Sequence, residues 1–297
     1  MTAFLSWYAV VQVLGAAAYA LISPCLRRLP DAGYAVSKTL GVLSFGLLLW
    51  LATALGLVRN DPRGAWVVTG LLIAGACLTV RSRSWPGTRI VVTSELVFAA
   101  AFGGWSLLRS VAPAVAHTEQ PMDLMLLTAV STSPAFPPAD AWLAGHSIGY
   151  YYLGYWLIAA IGFVTAQAPE VSYNVGQACW FGMLVLGCFG LGFNLASSAS
   201  GGGARRWLPT AAGALAALAV AGSANLHLIT GWLGVAASGA HSPVAGTPWW
   251  WWQSGRVLRT SRRRACRSRS SRSFRSSATW WATTIRTCCR CPSSWRH

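Results

Sequence analysis

Acidic residues are scarce in this chain: seven of 297, against 23 basic ones, with all charged residues together only 10% of the total. A typical soluble domain carries roughly 25%, so the charges present cannot clothe a water-soluble surface. Metal-ligand spacing is missing too. Cys25, Cys77, Cys179 and Cys188 stand singly in apolar segments, which reads as reduced core thiols rather than a zinc module. What the chain has in quantity is apolar sequence, 54% of its residues.

Several apolar runs approach the ~20 residues that an α-helix needs to cross a bilayer. Spans are expected at 3–26, 39–58, 65–80, 90–108, 148–168, 175–197 and 207–222, with a weaker eighth at 225–237. Hydrocarbon offers the backbone no hydrogen bonds, so each run must satisfy its own and is helical. The fold class is all-α: a polytopic α-helical integral membrane protein with seven or eight transmembrane helices, placed as a multi-pass protein of the cell membrane. The first run lacks a basic n-region and a small-residue cleavage site, and is read as a span rather than a cleaved signal. Arg27, Arg28 and Lys38 follow the first span and Arg81, Arg83 and Arg89 the third. The positive-inside rule therefore puts the amino terminus outside, by a slight margin over Arg59, Arg63, Arg205 and Arg206.

Within the spans, Glu95 is costly in hydrocarbon and either faces a partner or reaches water at a helix end. Gly182, Gly187, Gly190 and Gly192 are read as close-packing positions. The tryptophans from Trp249 to Trp252 read first as an interfacial belt, with a carbohydrate-stacking platform as the sharper alternative. The richest stretch is HTEQPMDLMLLTAVSTSPAFPPADAWLAGHSIGYYYLGY at 117–155. It puts Glu119, Asp123 and Asp140 on a Pro-rich connection that ends in Tyr150, Tyr151 and Tyr152. Glu119 and Asp123 are four apart and would share one face of a helical turn. Such a pair can bind a divalent cation through oxygen, Mg or Mn, or supply a general base. The bland alternative is two solvated loop acids. The three tyrosines point in three directions, so at least one packs against a neighbouring helix.

TEQPMD at 118–123, FPPADAWLAG at 136–145 and YYYLG at 150–154 together resemble the "YYY" membrane protein family, domain of unknown function 2298. LPDAGYAVSK at 29–38 and WWWWQSGRV at 249–257 add to the resemblance, which covers about residues 1–258. Gly149 stands where the pattern has Asn, and Ala139 and Ala141 where it has prolines. The family has no established activity and is similar to polyprenol-dependent glycosyltransferases of the GT-C membrane fold. The resemblance implies a donor of polyprenyl-phosphate-linked sugar in the lipid bilayer. Glu119 and Asp123 correspond to the loop acid of those enzymes. The chemistry, which needs a base or metal ligand and aromatic surface at the bilayer edge, makes Asp123 the base or metal ligand and Glu119 its partner, with Tyr150, Tyr151, Tyr152, Asp140, Trp142 and Trp249 against the substrate. A transporter, suggested by Glu95 and the Gly-rich helices, and a non-catalytic membrane scaffold are the competing readings.

The chain changes character near Leu258. Residues 259–297 hold eleven of the 23 basic residues, all arginine, and no acid. They divide the chain into a membrane domain, 1–258, and a basic Arg/Ser/Cys-rich tail. The tail could bind anionic lipid or nucleic acid, or Cys288, Cys289 and Cys291 a metal, although their spacing is wrong for zinc. Codon arithmetic favours an out-of-frame translation, and with it no nucleic-acid partner. Reading 270–292 two bases out of register permits ITEFPFFSDLVGDNHPHVLSLP, which is similar to what the family carries after its tryptophan run. The chain is then expected to be a truncated, inactive form. Resequencing the gene between the codons for Gly255 and Ser270 should reveal a one- or two-base slip; a downstream region without an apolar open frame would end the idea.

Overall fold

The computed structural model describes residues 2–79, 86–111, 113–116, 119–199 and 207–223, all within the unit Met1–Gly234. The expected span at 225–237, Trp249 and its neighbours, His117 and the arginine-rich tail lie outside the described residues. Eight helices are present among those described: α1 (Thr2–Ile22), α2 (Tyr34–Ala54), α3 (Pro62–Thr79), α4 (Thr88–Val111), α5 (Gln120–Thr132), α6 (Leu153–Thr165), α7 (Pro169–Ala199) and α8 (Leu208–Ser223). Five of them, α1 to α4 and α7, are long and apolar enough to cross a membrane. The protein is an all-α polytopic membrane protein, and its outer face fits a lipid setting: Leu78 is 87% exposed and Leu215 69%. Cys25 and Cys77 are also exposed, and of the thiols expected in the core only Cys179 is fully buried.

Local chemistry sets the helix starts. Asp31 accepts hydrogen bonds from the backbone N–H groups of Gly33 and Ala35, both at 3.0 Å. Between them Gly33 takes φ 81°, a left-handed conformation that glycine adopts without penalty. This cap begins α2 at Tyr34 and draws Lys38, expected in a loop, into the helix. Asp61 accepts from Gly64 N–H at 2.8 Å and so caps α3. Two lengths depart from expectation. The run 148–168 yields only α6, 13 residues, because Ile148 donates to the Pro138 carbonyl and Ser147 bridges Ala139, committing that backbone to a loop. At 1.5 Å per residue α6 is about 20 Å long, short of the ~30 Å hydrocarbon core. The connection at 117–155, read as a stiff loop, contains a helix of its own, α5, which buries Leu126, Leu127 and Val130.

Packing gives the bundle two distinct ends. Asn194, late in α7, donates to Asp31 at 2.9 Å, so the α1–α2 connection and the far part of α7 share one end. At the other, Asn60 donates to the carbonyls of Val130 and Ser133, joining the α2–α3 connection to α5. The interior is aromatic. Phe4, Tyr8, Phe98 and Phe102 form one cluster of rings between α1 and α4. Phe136 wedges against Trp50, Tyr152 and Trp156.

Small residues let the helices close up. A Cβ at Gly41 would strike the Leu14 carbonyl of α1, and one at Gly190 would strike Ala35. Gly182 lies against Phe98 and Phe102, and Gly192 against α8, as expected; Gly187, by contrast, faces open space. Gly41→Ala is therefore expected to lower the melting temperature in detergent, overpacking costing about 1–3 kcal/mol. Gly70→Ala, with nothing within 4 Å, should leave it unchanged or raise it through better helix propensity.

Candidate functional site

α5 is what brings the carboxylates to one place. Glu119 is its N-cap residue, Pro121 sits in its first turn, and the Glu119 carbonyl accepts from Asp123 N–H at 2.9 Å. Proline at a helix start sacrifices no backbone bond, and an acid in the first turn meets the positive end of the helix dipole. Asp123 then faces two other helices. Tyr155 of α6 donates its hydroxyl to Oδ1 at 2.5 Å, and Tyr173 of α7 donates to Oδ2 at 3.1 Å. Neither tyrosine was singled out from sequence as a partner.

The three tyrosines before α6 divide their roles. Tyr150 and Tyr151 stack with centroids 3.9 Å apart, and the Tyr150 hydroxyl donates to that of Tyr151 at 2.5 Å. That bond, aided by nearby Tyr151, Glu119 and Asp123, pushes the Tyr150 pKa up to about 12. Tyr150 is thus within electrostatic reach of both carboxylates, and both rings stay exposed. Tyr152 turns inward, accepting a 3.3 Å hydrogen bond from the Trp50 indole. Asp140 and Trp142 are not drawn to this cluster by any hydrogen bond among the described residues. Asp140 accepts from the N–H groups of Trp142 and Leu143, holding its own loop, and Trp142 is 71% exposed.

Two further groups stand outside this cluster; sequence reasoning missed the first, and of the second it singled out Glu95 but not its partners. Arg109, in the last turn of α4, donates through Nε at 2.9 Å and through Nη2 to Oδ1 of Asn174. Asn174 in turn donates to the Pro113 and Glu170 carbonyls. Tyr173 and Asn174 are consecutive, so the start of α7 holds a carboxylate on one side and a guanidinium on the next. The second group surrounds Glu95. Its Oε1 receives Lys38 Nζ at 2.5 Å and the Tyr34 hydroxyl at 2.6 Å; its Oε2 receives Gln12 at 2.5 Å and Tyr8 at 3.4 Å. Lys38 is 2% exposed and lies over the rings of Tyr34 and Phe98. A signal was there to be read. Tyr8 and Gln12, and Tyr34 and Lys38, are each four apart, which puts each polar pair on one face of an apolar helix.

The seven acids can now be sorted. Asp31, Asp61 and Asp140 hold backbone N–H groups, Glu95 holds Lys38, and Glu119 and Glu170 stand at helix starts. Asp123 is held by tyrosine hydroxyls of two helices, as Glu95 is, but without the lysine that neutralises Glu95. Among the described residues no three of His, Cys, Asp and Glu converge as a metal site. A cation held by Asp123 and Glu119 would take its other ligands from phosphate oxygens and water, as Mg²⁺ commonly does.

Removing the counter-charge of Lys38 should be costly. Glu95→Gln is expected to lower stability in detergent by about 3 kcal/mol, because it strands a buried ammonium. Replacing both Lys38 and Glu95 with Met should recover most of that loss, and a double-mutant cycle on melting temperatures measures the coupling.

No curated protein and no solved structure matches the chain. Residues 44–280, most of the chain and including the α5–α6 region, match the family described as uncharacterized membrane protein, DUF2298, and the chain belongs to that family.

Proposed function

We propose that the intact protein is a multi-pass glycosyltransferase of the cell membrane that takes its sugar from a polyprenyl-phosphate donor. The observation that supports this most is the Asp123 carboxylate, fixed by the Tyr155 and Tyr173 hydroxyls beside the exposed Tyr150–Tyr151 pair. In the reaction the acceptor hydroxyl oxygen bonds to the anomeric carbon while the bond from that carbon to the phosphate oxygen breaks. The lipid phosphate leaves with the electron pair, and Asp123 takes the proton from the acceptor. Two hydroxyl donors orient its carboxylate, so little reorganisation is needed when the acceptor arrives. A divalent cation, when bound through Asp123 and Glu119, would neutralise charge developing on the phosphate.

The surroundings suit such a substrate. Stacked tyrosines offer flat faces to a sugar ring, and the exposed Trp142 suits the interface where a lipid head group sits. Arg109, bonded to Asn174, the residue after Tyr173, adds a cation at the start of α7 from which a phosphate would profit. Asp140 holds the loop before the tyrosines and Tyr152 anchors its end to Trp50, so both would act on the substrate through the position of that loop.

The test is transfer of labelled sugar from a polyprenyl-phosphate donor by the frame-restored protein in proteoliposomes. Asp123→Asn should lower the rate at least a hundredfold, the scale on which general bases act, with melting temperature nearly unchanged. Tyr173→Phe should cause a smaller loss. Full activity in Asp123→Asn would remove this residue from the mechanism.

A further inference from the structure

Gly187 was expected to pack tightly and instead faces open space. It forms part of a groove between α2, α6 and α7, bounded by Leu40, Leu43, Leu157, Trp180 and Leu184, with a cavity volume of about 690 Å³. That lies within the ~300–1,000 Å³ typical of ligand pockets. Its walls are almost wholly apolar, and it opens sideways, for Leu184 is 54% exposed. A groove on membrane-crossing helices, opening toward lipid, admits hydrocarbon and excludes ions and sugars.

The groove is also aligned with the carboxylate site. Tyr173, Trp180, Leu184 and Gly187 follow one another at intervals of seven, four and three along α7, and so share a face. Trp180 is about 10 Å along the helix axis from Tyr173, whose hydroxyl holds Asp123. A phosphate head group at the Asp123 end, near Arg109, would leave its chain lying along this stripe.

We propose that the groove between α2, α6 and α7 holds the isoprenoid chain of the lipid-phosphate donor, in register with the Asp123 site. The proposal rests on the glycosyl-transfer reading for the identity of the lipid, whereas its test measures binding alone. The 297-residue chain is placed in phosphatidylcholine nanodiscs with a polyprenyl phosphate carrying a diazirine on its chain. Cross-links are located by peptide mass spectrometry.

Labelling is expected at residues 180–188 of α7 and to be displaced by unlabelled polyprenyl phosphate. Gly187→Phe adds bulk to the groove at a position where a Cβ would meet nothing within 4 Å. By occupying the space the chain would take, it should cut labelling of residues 180–188 severalfold. Gly104→Phe, also in open space but on α4 and away from the groove, should label as the wild type does. Equal labelling in Gly187→Phe would overturn the proposal. So would equal displacement by phosphatidylglycerol, which marks an ordinary bilayer lipid. Groove labelling in a frame-restored protein that transfers no sugar would leave the groove and remove the enzymatic reading. Sugar transfer with unchanged KM in Gly187→Phe would do the reverse.

Discussion

The bundle is organised around a charge that hydrocarbon will not tolerate alone. Lys38 is the only lysine in the chain, and it lies 2% exposed inside a helix of a membrane protein. Its ammonium has to be compensated by protein groups, since lipid offers none. Glu95 supplies the opposite charge from α4, Gln12 and Tyr8 come from α1, and Tyr34 shares α2 with the lysine. Three helices are thereby fixed in rotation and depth. A one-residue slip of any of them would move a polar group by about 100° around its axis and leave it facing lipid. This is register by electrostatics, which purely apolar helix faces cannot provide.

With that register set, close approach does the rest. Gly41 admits the α1 backbone and Gly190 admits Ala35, so α1, α2 and α7 come nearer than ordinary side chains permit. The same proximity lets Asn194 meet Asp31 at one end and leaves α4 and α7 to meet through Arg109 and Asn174 at the other. The second end is where α5 docks, with Asn60 tying it to the α2–α3 connection. Asp123 is therefore carried on a short helix anchored by the long ones, and its position depends on the bundle beneath it.

A chain with seven carboxylates uses most of them on helix starts, a loop and the lysine. Asp123 and Glu95 both receive tyrosine hydroxyls from two helices, but only Glu95 is also neutralised by Lys38. Proximity to an exposed stacked pair of tyrosines and to a guanidinium makes this end of the molecule chemically unlike its lipid-facing sides. The apolar groove on the same face of α7 as Tyr173 extends that asymmetry from the head-group level into the hydrocarbon.

Sequence alone determined the class of the protein, its long helices and the segment that carries the candidate site, because hydrophobic run length and motif order are local properties. It also paired Glu119 with Asp123 through a spacing that α5 realises. It did not foresee that α5 is a helix, since four prolines between 121 and 138 signalled a stiff loop; Pro121 proved to be a helix start. Nor did it see that α6 is short, because the pairing of residues 138–139 with 147–148 that delays it is a contact across a loop. Lys38 looked like a loop charge and Gly187 like a packing site. Both were decided by neighbours far away in sequence: Glu95 lies 57 residues from Lys38, and the groove before Gly187 is walled by residues of α2 and α6. Burial, partnership and emptiness are properties of the assembled bundle, and only tertiary structure decides them.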